Sequence, residues 1–482
     1  MFLKFFSFLF IFLFFINFVT CEYARPCYFT DWAHYRQGKG KYEPESYIPG
    51  ICTHIFFAFA KINSDFTAAA FDPEDLADWN GNANGGYYAK VNALKQKQPG
   101  LKTILSFGGW SAGTTLFKQM AASSQNRQKF VQSAVAFFKK YNFDGIDIDW
   151  EYPESDDKAN YAQFMKELKS AAGSLLVTAA VTAAPEKIDI GYDVPALAQS
   201  LDFVNVMTYD FHGGWEQVTG ENSPLYPAPG DTTNWNTNFA MKYWAKKGMP
   251  KNKLLVGIAA YGRGWTLNDP NNHGIGAPGQ SAPGLPITNT QGFAAYYEIC
   301  NLGGTRYWDN NQKVPYIVNG KLWYGYDDVQ SVGLKAQWIK DNGFGGAFVW
   351  TLDFDDFNGQ CSGGKLYPIL NTIKDVLGGG SPPTYAPPPT FPTTTTKSPP
   401  TGQTQKPITQ NPNDPFKCPS PNGFFSDPKD CTSYYECDNG NPIHFTCPPG
   451  TEWNEKLQTC DWPSDTVCFQ KKSVKSRSVK KV

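Results

Sequence analysis

Histidine is scarce in this chain, with five among 482 residues, and no Cys/His cluster has the spacing of a zinc site. There is no CxxC pair and no Gly-rich phosphate fingerprint, so neither a metal nor a cofactor is expected. An excess of one charge is also missing: 43 Lys and Arg against 44 Asp and Glu leave a net charge of -1, which argues against a nucleic-acid partner. No N-x-Ser/Thr sequon occurs, so N-glycosylation is not expected. The one long apolar run lies within MFLKFFSFLFIFLFFINFVTC and is too short to span a bilayer comfortably. It reads as a secretory signal peptide, residues 1–21, with cleavage after Cys21 or Ala24. A retained anchor is the competing reading; no stable membrane anchor is expected.

What the chain has in quantity is aromatic side chains, 16% of residues with 14 Trp and 25 Tyr, many at strand ends and in loops. Exposed aromatic faces suit sugar rings, and ordinary core filling is the alternative for any one of them. It also has eleven cysteines. Removal of Cys21 with the signal leaves an even set, which an oxidising compartment would pair as disulfides. After Leu377 the composition turns Pro/Thr-rich, and 379–415 reads as an extended linker that is O-glycosylated. Six cysteines then crowd into about fifty residues, the density of a stapled module, 416–470, too small for a core of its own. The last residues, 471–482, form a basic tail, either a solvated end or a weak adhesive for acidic surfaces.

Residues 22–378 carry eight short apolar runs: 27–32, 54–60, 102–109, 144–151, 176–181, 203–210, 253–262 and 345–353. Each is followed by a polar or amphipathic segment, of which 126–142 and 160–173 have clear helical periodicity. Strand then helix, eight times, predicts an α/β fold, a (β/α)8 TIM barrel. A doubly wound sheet is the competing architecture. Residues 266–335 are too long and irregular for one helix, and predict a small α+β insertion with a hairpin turning at Asn319-Gly320, walling one side of the barrel mouth.

The stretch FDGIDIDWEYP, 143–153, places Asp144, Asp147, Asp149 and Glu151 among strongly apolar neighbours. On a strand, Asp147, Asp149 and Glu151 share one face and Ile146, Ile148 and Trp150 the other. Carboxylates in a partly desolvated row raise one another's pKa, so one keeps its proton near neutral pH. Asp149 and Glu151 are roughly 6.5 to 7 Å apart at Cα and approach a substrate from the same side. A glycosidase of the two-carboxylate kind needs them on opposite sides. The ladder therefore supplies an acid and its tuner, and an N-acetyl group on the sugar can supply the nucleophile.

These residues carry a resemblance to the chitinases of glycoside hydrolase family 18, over nearly all of 25–377. The DxxDxDxE motif stands as Asp144, Asp147, Asp149 and Glu151. Ser106-Phe107-Gly108-Gly109, Met207-Thr208-Tyr209-Asp210 and the closing GGAFVWTLDFDDF with Trp350 are similar to three further motifs. The resemblance implies Glu151 as general acid and later base, Asp149 polarising the N-acetyl group, and Asp147 sharing its proton. It implies Tyr209 on the N-acetyl carbonyl, Asp210 supporting the distorted sugar, and Trp350 as the floor, with Met207 beside them. Trp32, Trp110, Trp215, Tyr261 and Arg263 are implied cleft contacts. Asp144 is read as structural, hydrogen-bonding beneath the site.

The terminal module, with spacing C-x12-C-x5-C-x9-C-x12-C-x7-C, resembles the peritrophin-like chitin-binding domain. Tyr434, Tyr435, Phe445, Trp453 and Trp462 are its candidate stacking residues, about half of which must serve as core in so small a domain. Six cysteines allow fifteen pairings. The resemblance implies Cys418–Cys437, Cys431–Cys468 and Cys447–Cys460, and in the barrel Cys27–Cys52 and Cys300–Cys361. The expected protein is a secreted, extracellular, monomeric endo-type chitinase acting on chitin and N-acetylglucosamine oligomers by a retaining, substrate-assisted route, held on chitin by its module. A catalytically inactive chitin-binding lectin and a purely structural chitin-coating protein are the alternatives.

Overall fold

The computed structural model describes residues 23–361, 363–378, 380, 416–420, 423–438, 440–447, 452–454 and 459–461. The expected signal segment, most of the linker and the basic tail lie outside them. Eight parallel strands, β1 (Pro26–Thr30), β2 (His54–Ile62), β3 (Lys102–Gly108), β4 (Gly145–Asp149), β5 (Leu176–Thr182), β6 (Phe203–Met207), β7 (Leu254–Ala259) and β8 (Gly346–Trp350), pair in chain order. β1 closes the ring by pairing with both β2 and β8, with Cys27 opposite Ile55 and Val349. All eight expected runs are strands.

The alternation inside each strand sorts the core into two layers. Tyr28, Phe56, Ala58, Ile104, Phe203, Leu255 and Phe348 fill the barrel interior. The opposite faces, with Ile146, Ile148 and Trp150 among them, pack under the helices. The helical pattern at 126–142 is the helix Ser124–Lys140, started by the Ser123 side chain accepting from the Asn126 amide, and that at 160–173 is Lys158–Ala172. One expected helix is replaced: between β1 and β2 only short 3-10 turns occur, because Gly38, Gly40, Pro44, Pro49 and Gly50 interrupt any longer run.

The insertion expected at 266–335 begins earlier and ends earlier. Its sheet is built on Tyr261–Leu267, one residue after β7, flanked by Gly279–Ser281, Phe293–Ala295 and the hairpin Val314–Asn319/Leu322–Gly325. Residues 329–335 belong to the barrel helix Val329–Asn342, which Asp328 caps through the Gln330 and Ser331 amides. The hairpin turn falls on Gly320-Lys321, since Asn319 still pairs with Leu322. Cys27–Cys52 and Cys300–Cys361 are disulfides, as is Cys418–Cys437 in the terminal module. Cys431 and Cys447 are also disulfide-bonded; Cys468 and the side chain of Cys460 lie outside the described part. Among the described residues no helix is long and apolar enough to cross a membrane.

Candidate active site

The carboxyl ends of β1, β3, β4, β6 and β8 converge on one face of the barrel, where a (β/α)8 fold carries its chemistry. β3 ends in two glycines that the site needs. A Cβ on Gly108 would stand 2.0 Å from the Asp149 carbonyl oxygen, and one on Gly109 2.5 Å from the Phe59 ring. Without those atoms the Gly109 amide donates to the Asp149 carbonyl at 2.8 Å, fixing the end of β4. The next residue, Trp110, is thereby turned outward and is 43% exposed.

β4 presents the ladder. Asp144, at its foot, accepts from the Thr103 amide at 2.9 Å and from Lys95 Nζ at 3.0 Å. Burial pushes its carboxyl up, yet the Thr103 amide, Lys95 and Lys102 together hold it below the ordinary value, as suits a structural ion pair. Asp147 is fully buried and accepts three hydroxyls, Tyr28 at 3.0 Å, Ser106 at 2.7 Å and Thr178 at 2.7 Å, from the strands on either side and across the barrel. Burial raises its pKa, and the three donors oppose that rise. Asp149 is 3% exposed, with Oδ1 unpaired. Burial pushes its carboxyl well up, with Glu151 and then Asp147 adding to the effect. No hydrogen bond joins Asp147 to Asp149 among the described residues, so the two communicate through their charges.

Glu151 is half-buried at the end of the ladder. Burial pushes its carboxyl up to about 7; Asp210 adds to the rise, while a hydrogen bond from Tyr152 and the Lys187 ammonium oppose it. Across the opening, β6 delivers Met207, Tyr209 and Asp210, all half-buried. Burial pushes the Tyr209 phenol well up, and the charges of Asp149, Asp210, Glu151 and Asp147 raise it further. Asp210 has a left-handed backbone, φ 58°, held by the Asn222 side chain accepting its amide at 2.9 Å. Its carboxylate accepts from Arg263 Nε at 2.7 Å. Trp350, at the end of β8, lies on Tyr28, Phe59 and Trp32 with centroids 5.2, 5.9 and 6.3 Å away. Trp215 is half exposed, with the Arg263 guanidinium 5.1 Å over its ring.

One expected cleft contact is corrected. Tyr261 is 2% exposed, stacked on Phe293 at 4.7 Å, and its ring backs Tyr209 instead of facing a substrate. Tyr261 shares a strand face with Arg263, but its ring is covered there by Phe293, Tyr209 and Phe354, while the longer Arg263 side chain reaches Asp210 at the opening. In the terminal module Tyr434, Tyr435 and Trp453 are likewise 5 to 6% exposed. Tyr434 stacks between Trp453 at 4.0 Å and Phe445 at 5.3 Å in the small core, and Tyr435, on the other face of the strand, is covered by Phe416 at 3.9 Å, so Tyr434, Tyr435 and Trp453 are closed to a sugar. Phe445 is half-buried, and Trp462 lies outside the described residues.

Several supporting residues were not expected from the sequence: Tyr28, Ser106 and Thr178 around Asp147, Asn222 under Asp210, and Asp353 behind Trp350. Asp353 is fully buried and accepts from Thr30 at 2.8 Å, Thr351 at 2.5 Å and Arg36 at 2.6 Å, locking the turn that follows the tryptophan. The spare aspartates of WTLDFDDF were its visible signal.

Residues 25–355 match glycosyl hydrolases family 18, and 418–468 match the chitin binding peritrophin-A domain. A probable endochitinase of Caenorhabditis elegans is 51% identical over 379 residues, 75% of this chain and 61% of that protein, so the chain spans less than two thirds of that relative. An immunomodulatory active chitinase of Trichuris suis, whose crystal structure covers 74% of this chain and 100% of its own, is 48% identical with a TM-score of 0.71. Human YKL-39, described as a pseudo-chitinase with retained chitooligosaccharide binding, is 38% identical over 74% of this chain and 100% of its own, with a TM-score of 0.69. This chain belongs to glycosyl hydrolases family 18 and ends in a peritrophin-A chitin-binding domain.

Proposed function

We propose that the protein is a secreted endo-type chitinase that hydrolyses β-1,4 links between N-acetylglucosamine units with retention, using the substrate's own acetamido group as nucleophile. The observation that carries this is Glu151, a carboxyl at the cleft whose proton is held to about 7 and which adjoins a second carboxyl, Asp149, on its own side. Across the opening Asp210 is engaged by Arg263, which leaves it a poor free nucleophile.

The acetamido oxygen attacks C1 as the C1–O bond to the leaving sugar breaks, and Glu151 passes its proton to the departing oxygen. Asp149 accepts from the acetamido N–H, and Tyr209 donates to the acetamido oxygen. Glu151, now a carboxylate, takes a proton from water as that water adds to C1 and reopens the ring formed by the acetamide. The product keeps the β configuration. Trp350 carries the apolar face of the reacting sugar. Secretion is supported by the disulfides and by the apolar N-terminal segment.

The test is incubation of wild type and Glu151→Gln with N-acetylglucosamine oligomers, following new reducing ends and the anomer released. Early β-anomer from wild type, lost in the variant, is the expected result. The likeness to a pseudo-chitinase keeps a second reading, a chitin-binding lectin. Folded wild type that binds oligomers without cleaving them would establish that one instead.

A further inference from the structure

Asp31, Asp72 and Asp75 are 2, 5 and 1% exposed, three buried carboxyls brought together where the turn Asp31–Tyr35, which follows β1, meets the turn Pro73–Asp75, which Asp72 caps. Among the described residues no lysine or arginine pairs with any of them: Arg36 is engaged by Asp353 at 2.6 Å and Lys90 by Glu43 at 3.8 Å. Three ionised carboxylates so placed, poorly solvated and without a cation, repel one another, and at least one must keep its proton.

The hydrogen bonds identify that one. Asp72 accepts the Tyr35 hydroxyl at 2.6 Å and the Glu74 amide at 2.8 Å, and Asp31 accepts the Trp32 amide at 2.7 Å, as carboxylates do. Asp75 accepts only the Asp72 amide, at 3.4 Å, and its Oδ1 has no partner. The least solvated charge is therefore the one that Asp75 would carry, and the proton resides there. Burial pushes the Asp75 carboxyl well up, and the charges of Asp31 and Asp72 add to the rise. Burial and then Asp72 also push Asp31 up, against the pull of the Trp32 amide. The other groups facing the cluster are His34, whose Nε2 lies 3.6 Å from Glu74, the Tyr35 phenol, and Tyr88 of the helix Tyr87–Lys97. Tyr88 is 1% exposed, its hydroxyl has no hydrogen-bond partner, and the charges of Asp75, Asp31 and Asp72 help to hold its proton.

This cluster stands behind a cleft residue. The amide that Asp31 holds is that of Trp32, whose ring stacks on Phe59 at 6.0 Å and reaches Trp350 at 6.3 Å. While Asp75 is neutral, Asp31 carries the charge that fixes the Trp32 amide; a second charge on Asp75 pushes the two turns apart. We propose that Asp75 is a positioning residue for substrate binding, which through Asp31 holds Trp32 beside Trp350 while it is protonated and releases it when it ionises. This rests on the reading of the barrel mouth as a chitin cleft, and it adds a pH dependence of binding separate from the proton that Glu151 delivers.

The test follows KM and kcat of full-length wild type and Asp75→Asn on the N-acetylglucosamine hexamer as pH is raised. Wild-type KM should rise by about tenfold, the weight of one aromatic contact, while KM of Asp75→Asn, which keeps the shape and cannot ionise, stays level. The alkaline fall in kcat should be the same in both, since Glu151 is untouched. Asp31→Asn should level KM by a second route, and the double variant should do no more than either single one, because each removes the same repulsion. A wild-type KM that stays level, or one that rises equally in Asp75→Asn, would overturn the proposal. Hexamer Kd against pH in a Glu151→Gln background, with and without Asp75→Asn, reads binding without hydrolysis. Wild type that fails to cleave would then sink the catalytic reading alone, while a Kd with the same pH dependence in both backgrounds would sink this one.

Discussion

Lys335 and Asp327 form an ion pair with no exposure on either side chain, Nζ lying 2.6 Å from one carboxylate oxygen and 2.7 Å from the other. The same ammonium donates to the Ser223 carbonyl and hydroxyl at 2.5 and 2.8 Å, and the Ser223 hydroxyl donates at 2.6 Å to the carbonyl of Thr208, the residue before Tyr209. The barrel helix Val329–Asn342 thus buttresses the strand end that carries Tyr209 and Asp210. Burial costs the cation and lowers its pKa, and only its partners compensate. Lys335→Met should destabilise the fold by about 3–5 kcal/mol, because Asp327 is left buried and unpaired. Denaturant unfolding of Lys335→Met beside Lys335→Met/Asp327→Leu measures it. The double variant should recover much of the loss, and a single variant as stable as wild type would remove the pair from the support of the site.

A second expectation concerns pH. In the proposed mechanism Glu151 donates only while protonated, and burial pushes its carboxyl up to about 7. Hydrolysis should therefore be retained below that value and fall as pH rises through it. Lys187 opposes the rise, so Lys187→Met should move the alkaline limb upward by a few tenths of a pH unit. The same elevation has a sign for stability. Folding raises the carboxyls of Asp147, Asp149 and Glu151 above their ordinary values of 3.8, 3.8 and 4.5, so the native state binds protons that the unfolded chain has released. Their contribution is complete below the unfolded values and is lost as pH rises through the folded ones. Melting temperature against pH, wild type beside Glu151→Gln, checks the second half and pH–rate profiles the first.

The three hydroxyls on Asp147 give a third expectation. Each opposes the effect of burial on the carboxyl. Thr178→Val leaves one carboxylate oxygen without its 2.7 Å donor, which should cost about 1–3 kcal/mol. Asp147 would then keep its proton to higher pH, so the acid limb of the rate profile should shift upward while the alkaline limb set by Glu151 moves little. An unmoved acid limb would mean that Asp147 does not tune the site.

The ladder itself was legible because a strand's period of two assigns each carboxyl a face, and Trp150, pointing the other way onto Phe117 at 5.3 Å, obeys the same rule. The partners of Asp147 were not legible: Tyr28 is 119 residues away, Ser106 41 and Thr178 31, and only barrel closure brings them together. The eight strands stood out as apolar runs, yet the edge of the insertion did not, since β7 and Tyr261–Leu267 are separated by a single residue within one apolar stretch. Nor can sequence decide which aromatic rings a fifty-residue module spends on its core. Tyr434 and Trp453 were equal candidates with Phe445 until their burial was seen.

The terminal module gives the last expectation. Its aromatic core is its own, with Phe424, Tyr434, Phe445, Cys447 and Trp453 packed on one another, and the barrel's clusters contain none of them. Truncation after Gly378 removes this unit without opening the barrel core, so cleavage of short soluble oligomers should survive. On insoluble chitin the module would hold the barrel near its substrate, converting each later encounter into an intramolecular one, a gain in local concentration that can reach two orders of magnitude or more. Product release from insoluble chitin should therefore fall about tenfold or more in the truncated chain at low enzyme concentration. The difference should shrink as enzyme is raised, because tethering matters least when free enzyme is abundant. Equal loss on soluble and insoluble substrates, with a lowered melting temperature, would instead assign the module to the stability of the barrel.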